Sequence, residues 1–359
     1  MNPKAFQDSI IRKFKDSKLP IYGIFELTGR CNFNCKMCYV HTKSNAEFLQ
    51  TEKSGDWWIA QIDKAYEKGM LFALLTGGEC LLHPDFHRIY SHLREKGVYT
   101  RINTNGVLLN SKNIDFLKKN PPLEIQLTVY GSDDSAYKAV TGVSAFKQID
   151  ETIRRIKDAD LKLKIAVTPN SFAPGETEKI IRYLNELQVP YSVNGAMFTP
   201  YDDENTQTTL DDVDIDEKIR FLKIQSSIDV KAVAEEKLPA VGGGCKEVKR
   251  GIRCSAGRVS FTISNDGYMM PCFSMYHLRV PLEEVGFDAA WEQMLNIGAN
   301  YLMPIECEGC AYKKACLPCV VARSGKAGNG HCDPAVCEMT RKLVAAGVKK
   351  LEEPQESCE

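Results

Sequence analysis

Between Thr28 and Tyr39 the chain reads T-G-R-C-N-F-N-C-K-M-C-Y, which places thiols at Cys31, Cys35 and Cys38 with the spacing C-x3-C-x2-C. Thiolates are soft ligands that select zinc, copper(I) or iron–sulfur clusters, and a structural zinc site closes with four protein ligands in paired short spacings. Three thiols are one too few for such a site, so a zinc knuckle here needs a fourth cysteine from elsewhere in the chain. The same three suit three corners of a four-iron cluster. One iron is then open to a ligand that is not protein, and chemistry is expected at that iron.

A loop of this kind needs rigid elements to hold it. From residue 21 to residue 198 short β-rich runs alternate with amphipathic stretches, and strands are predicted over Ile21–Thr28, Leu71–Thr76, Tyr99–Asn105, Glu124–Tyr130, Lys162–Thr168 and Tyr191–Phe198. Each run is apolar enough to predict burial on both faces. The helical period is plain in Phe146, Ile149, Ile153 and Ile156. Repeated βα units build a curved parallel sheet whose ligand site lies at the carboxyl ends of its strands. Three polar segments fall at those ends. Strand two runs into Thr76-Gly77-Gly78-Glu79, strand three into Asn103-Thr104-Asn105-Gly106, and strand four into Thr128-Val129-Tyr130-Gly131. Glycine lets a backbone approach a ligand closely and a carboxylate can pair with an ammonium, although each segment taken alone also reads as an ordinary turn.

Taken together, the cysteine triplet after a first strand and the G-G-E segment after a second resemble the radical S-adenosylmethionine (SAM) superfamily. The resemblance implies an α/β fold with a six-unit partial barrel and a SAM-binding [4Fe-4S] cluster on Cys31, Cys35 and Cys38. It also implies reductive cleavage of SAM to a 5'-deoxyadenosyl radical that abstracts hydrogen. In the family the segment at Gly77, Gly78 and Glu79 binds the SAM amino group, the Thr128 position contacts the ribose, and the turn holding Asn105 supports the pocket. Three departures stand out: Met37 precedes the third cysteine where an aromatic residue is usual, Cys80 follows Glu79 where proline is usual, and Thr141 stands where many members carry an arginine near the SAM carboxylate. Cys80 reads as a small buried thiol. Arg154 is the candidate partner for the carboxylate.

After Tyr201 the pattern gives way to an acidic polar run, and beyond Gly242-Gly243-Gly244 come nine of the fourteen cysteines, at 245, 254, 272, 307, 310, 316, 319, 332 and 337. Their order resembles the SPASM extension of radical SAM enzymes. Cys254, Gly267 and Cys272 fit its first half, with Asn265-Asp266-Gly267 at the tip of a predicted hairpin, and Cys307, Cys310 and Cys316 fit its second. Cys319 follows after two residues where three are usual. The resemblance implies two auxiliary [4Fe-4S] clusters, one on Cys245, Cys254, Cys272 and Cys319 and one on Cys307, Cys310, Cys316 and Cys337. Cys337 is preferred to Cys332 because it ends a D-P-x-x-C segment. Paired C-x2-C spacings suit zinc ribbons as well. The organisation expected is an N-terminal segment over 1–20, the barrel over 21–200, a linker and helix over 201–244, the small cysteine-rich SPASM domain over 245–345 and a tail over 346–359.

With 43% apolar residues and a formal net charge of -1 over 359 residues, the composition argues against nucleic acid as the main partner. There is no membrane-spanning apolar run and no signal peptide, so a cytoplasmic protein with metal-bound thiols is expected. The resemblance implies an oxidoreductase that modifies a peptide or protein side chain, forming a thioether or carbon–carbon crosslink. It also implies an external electron donor such as a flavodoxin or ferredoxin. Only about twenty residues precede strand one, so a leader peptide would be read by a stand-alone binding protein or by the barrel surface. The sulfatase maturases are the rival. They carry a catalytic aspartate directly after the cysteine of the G-x4-C motif, where this chain has Phe273. An iron–sulfur electron carrier is a further alternative, which the G-G-E segment argues against because a carrier needs no SAM pocket. His83 and His87, at i and i+4, read as surface or packing residues.

Overall fold

The computed structural model describes residues 3–40, 43–193, 251–252, 254–302, 304, 307, 310–316, 319–324 and 331–347. The chain divides into two compact units, the first made of residues 1–212 and 255–298 and the second of residues 213–254 and 299–359.

In the first unit all six predicted strands are present: β1 (Tyr22–Thr28), β2 (Phe72–Gly77), β3 (Tyr99–Thr104), β4 (Glu124–Val129), β5 (Leu163–Val167) and β6 (Tyr191–Val193), of which the predicted part beyond 193 lies outside the described residues. Neighbours pair in parallel from β1 to β6. The helices between them are α2 (Asn45–Thr51), α3 (Gly55–Glu67), α4 (Phe86–Glu95), α5 (Ser111–Lys119), α6 (Asp134–Thr141), α7 (Phe146–Asp158) and α8 (Glu176–Glu186). On α7 the predicted stripe is buried at Ile149, Ile153 and Ile156. This is the α/β partial barrel expected.

Two features depart from expectation. The sheet continues past β1 into β7 (Ser260–Ile263), which pairs with it in parallel, and then into antiparallel β8 (Tyr268–Met270) and β9 (Val280–Pro281). The hairpin around Asn265-Asp266-Gly267 therefore belongs with the barrel, because β7 satisfies the open edge of β1 and Phe261 packs edge-on against Phe25, Phe287 and Trp291. The division into compact units thus falls at 255 and 298 and not at residue 245, where the cysteine pattern begins.

The strands, moreover, are not apolar on both faces. In β3 and β4 fully buried Thr100, Ile102, Ile125, Leu127 and Val129 alternate with half-buried Arg101, Asn103, Gln126 and Thr128. The buried set faces the helices. The parallel register puts the other set on the inner face, beside Thr76 and Lys164. The lumen is therefore polar and accessible.

The amino-terminal helix α1 (Pro3–Lys13) closes one end of that lumen. Its Phe6 and Ile10, with Phe14 and Leu123, pack on Ile21, Phe72 and Val259, residues at the starts of three strands. Phe6 meets the rings of Phe72 and Tyr99 at 5.7 and 5.2 Å. Buried Gln7 accepts from Arg101 at 3.3 Å, and Arg101 also pairs with Glu124. With the strand starts covered, the carboxyl ends are left for ligand.

Candidate active site

The C-x3-C-x2-C loop leaves the carboxyl end of β1, and side chains from several elements fix its path. Asn45, in the first turn of α2, brackets Cys31: its Oδ1 accepts from the Cys31 amide at 3.0 Å and its Nδ2 donates to the Cys31 carbonyl at 2.9 Å. Arg30 donates two bonds to Glu52, at 2.9 and 2.8 Å, and a third to the Leu82 carbonyl at 2.9 Å, while Thr28 also donates to Glu52. Further along, the amides of Asn34 and Lys36 donate to the carbonyls of Thr141 and Val140 at the end of α6. Sequence reasoning did not find Arg30, Asn45 or Glu52. None belongs to a spacing motif, and the pairings form only when distant elements meet.

The glycines of the G-G-E segment have a structural explanation in this loop. A Cβ at Gly77 would lie 2.3 Å from the Thr28 carbonyl oxygen, and one at Gly78 would lie 2.3 Å from that of Arg30. Gly77 also has φ +131°, a conformation that other residues adopt only with strain. The close approach lets the Gly78 amide donate to Thr28 and the Glu79 amide to Arg30, both at 2.8 Å. The segment and the cysteine loop are thus one hydrogen-bonded unit.

Glu79 is fully buried. Its carboxylate accepts from the amides of Leu81 at 3.1 Å and Asn105 at 2.8 Å, and from the Thr104 hydroxyl at 2.9 and 2.8 Å. Burial pushes its pKa up, and these donors pull it back. Direct pairing with an ammonium would require breaking this set. Asn105 in turn points its Nδ2 at the Asn32 Oδ1, 2.6 Å away, and at the Cys31 sulfur, 3.7 Å away. Thr128 lies half-buried on the lumen face of β4.

The three thiols affect one another. Burial raises the Cys31 pKa to about 11, with Cys38 and Glu79 contributing. Burial likewise raises that of Cys35, with further repulsion from Cys38 and Cys31 and a counteracting hydrogen bond from Tyr130. Mutually destabilised thiolates of this kind suit a cationic iron–sulfur core, which offsets much of their charge. Among the described residues no three histidine, cysteine or carboxylate side chains already close around a single-ion position.

Other expectations resolve locally. Thr141 is buried, with its hydroxyl bonded to the Tyr137 carbonyl. Arg154 is half-exposed on α7 and paired with Asp150 of the same helix, so it does not reach the lumen. Cys80 is buried, as expected. His83 caps a short 3-10 turn and bonds to the Lys53 carbonyl, while His87 lies in α4 against Asn113, so the pair does not share a helix.

In the second unit Cys307 and Cys332 bring their sulfurs to 3.5 Å. Cys337 bonds to Cys332 and feels Cys316 and Cys310. Arg323, buried in this unit, donates to the Cys307 sulfur at 3.9 Å, and Thr340 donates to that of Cys316 at 3.6 Å. Cys254 is exposed and Cys319 half-buried, whereas Cys272 belongs to the first unit. Cys245 and Cys358 lie outside the described residues.

Residues 25–187 match the radical SAM superfamily. Over these residues the chain carries a radical SAM domain. The family implies a four-iron cluster and SAM, and the thiol loop fits that cluster. Among curated relatives, the antilisterial bacteriocin subtilosin biosynthesis protein AlbA of Bacillus subtilis is 23% identical over 258 residues, which is 71% of this chain and 55% of AlbA. The chain spans about half the length of the curated relatives it first matches. Among solved structures, Streptococcus suis SuiB bound to S-adenosylmethionine superimposes with TM-score 0.66 at 16% identity, covering 93% of this chain and 81% of SuiB. The structure of anSMEcpe with bound AdoMet and the Kp18Cys peptide gives 0.66 at 14% identity, covering 91% and 96%. At these identities both likenesses establish the fold. Among the described residues no helix is long and apolar enough to cross a membrane.

Proposed function

We infer that this protein is a radical SAM enzyme that modifies a side chain of a peptide or protein, as a maturase that installs a thioether or carbon–carbon crosslink. In this reading Cys31, Cys35 and Cys38 hold a [4Fe-4S] cluster. The segment Gly77, Gly78 and Glu79 would hold the SAM amino group, and Asn105 and Thr128 would complete the pocket. When bound, cluster and SAM supply the 5'-deoxyadenosyl radical. The half-buried polar lumen, closed at its foot by α1, is the space in which a substrate side chain would meet it. Two auxiliary clusters are assigned to Cys245, Cys254, Cys272 and Cys319 and to Cys307, Cys310, Cys316 and Cys337. The electron donor is a flavodoxin or ferredoxin, and the compartment is the cytoplasm.

The observation that carries this reading over the sulfatase-maturase alternative is Phe273. The residue after Cys272 offers no proton acceptor, and its ring stacks on Tyr39 beside the cluster loop. The subtilosin biosynthesis protein among the relatives, and the crystal structure of SuiB bound to a precursor peptide, support a peptide substrate. The decisive experiment incubates reduced, anaerobically reconstituted protein with SAM and a short cysteine- or aromatic-rich peptide encoded beside its gene. 5'-Deoxyadenosine should form slowly without peptide and faster with it, and deuterium from the abstracted position should enter the product. A peptide returned unchanged, with formylglycine appearing instead on a sulfatase-derived peptide, would overturn the reading.

A further inference from the structure

We propose that Glu79 is a positioning residue whose buried carboxylate fixes the turn at Thr104 and Asn105 so that the Asn105 side chain donates a hydrogen bond to the Cys31 sulfur, setting the reduction potential of the SAM-binding cluster. The inference rests on the assignment of that cluster to Cys31, Cys35 and Cys38.

Three observations carry it. First, among the described residues the donors to Glu79 come from its own turn and from the end of β3, and its carboxylate is 0% exposed, so it acts on its neighbours and not on solvent or lumen. Second, the orientation of the Asn105 amide is determined. Its Oδ1 accepts from the Val107 amide at 3.1 Å, which leaves Nδ2 facing the cysteine loop. Third, that Nδ2 has two protons and two acceptors, Asn32 Oδ1 at 2.6 Å and Cys31 Sγ at 3.7 Å. The Phe33 amide donates to the same sulfur at 3.4 Å. Hydrogen bonds to ligand sulfurs stabilise the more negative, reduced cluster and raise its potential. The carboxylate therefore acts on the cluster through Asn105, at one residue's remove.

The test is a redox titration of the full, reconstituted protein followed by EPR in the absence of SAM, using the signal that later addition of SAM perturbs. Asn105→Ala removes the donor, and Asn105→Asp keeps an acceptor for Val107 while placing a carboxylate toward the sulfur. Both should retain the iron and shift the midpoint to lower potential, Asp further than Ala. Glu79→Gln also removes a negative charge, which by itself raises the midpoint. The route through Asn105 is therefore read as the difference between its shift in the wild-type and in the Asn105→Ala background, and that difference should be downward. A Thr128→Val protein, altered at the assigned ribose contact, should keep the wild-type midpoint. Unchanged midpoints in both iron-loaded Asn105 variants would overturn the proposal. So would a Glu79→Gln shift that is the same in both backgrounds together with several-fold weaker SAM binding, which would make Glu79 a direct contact. Pulsed EPR of the reduced protein with 15N only in asparagine side chains compares wild type with Asn105→Ala. A label-dependent coupling that is lost in the variant supports the bond, and none in the wild type refutes it. If Cys31→Ala leaves the SAM-sensitive signal intact, the cluster assignment itself has failed, independently of Asn105.

Discussion

The ring of Tyr39 is stacked on that of Phe273, with centroids 5.3 Å apart and planes inclined by 30°. Each ring belongs to the residue that follows a cysteine, Cys38 in the loop after β1 and Cys272 after the β7–β8 hairpin. Phe273→Asp therefore does more than supply a proton acceptor, because it removes a stack worth about 0.5–1.5 kcal/mol beyond its buried area. The variant is expected to melt a few degrees lower and to leave a sulfatase-derived cysteine or serine peptide unmodified, since a proton acceptor alone does not create a peptide groove. Mass spectrometry of that peptide checks the second outcome, and a gain of formylglycine would show that residue 273 alone separates the two activities.

Gly78→Ala should cost the SAM-binding cluster. Its Cβ would stand 2.3 Å from the Arg30 carbonyl oxygen and 2.6 Å from that of Gly29, and backbone cannot yield as a side chain can. The strand end and the cysteine loop must then separate. With three four-iron clusters the wild type should hold about twelve irons, and the variant, like the triple Cys31→Ala, Cys35→Ala and Cys38→Ala, should lose about a third of them together with SAM cleavage. Iron and sulfide analysis of reconstituted protein measures this, and wild-type protein that takes up zinc and no iron would contradict it.

Glu52→Gln tests the clamp on Arg30. The pair has side-chain exposures of 21% for Arg30 and 7% for Glu52. Removing one partner of a largely buried pair costs about 3–5 kcal/mol, an upper bound here because Arg30 is partly solvated and retains its bond to Leu82. A lower melting temperature in the apo protein and slower iron uptake are expected. Arg30→Lys should show the same two losses, because a single ammonium cannot reproduce the two-point geometry.

Cysteine substitutions in the second unit separate Cys337 from Cys332. Cys337→Ala is expected to remove about one cluster's worth of iron, whereas Cys332→Ala and Cys358→Ala leave the count unchanged. The 3.5 Å approach of the Cys332 sulfur to Cys307 makes the comparison sharp, since either thiol is near enough to compete for the same corner. The opposite pattern of iron loss would reassign the ligand to Cys332.

Much of the barrel was legible because its signals are local. Apolar runs of strand length, the period of α7 and the triplet Cys31, Cys35 and Cys38 depend only on neighbours in the chain, and short spacing puts thiols on one loop whatever the rest of the fold does. Composition could not show which face of β3 and β4 meets water, because alternating residues such as Arg101 and Asn103 acquire an inside only when the sheet curves. Nor could the sequence attach β7 to β1, since that pairing joins segments far apart in the chain and is decided by an open sheet edge. The G-G-E segment shows the difference most clearly. The sequence supplied two glycines and a carboxylate beside a strand. Tertiary structure decided that the glycines admit the backbone of Thr28 and Arg30 and that the Glu79 carboxylate meets Thr104 and Asn105, because close packing and the need to satisfy a buried charge act through space.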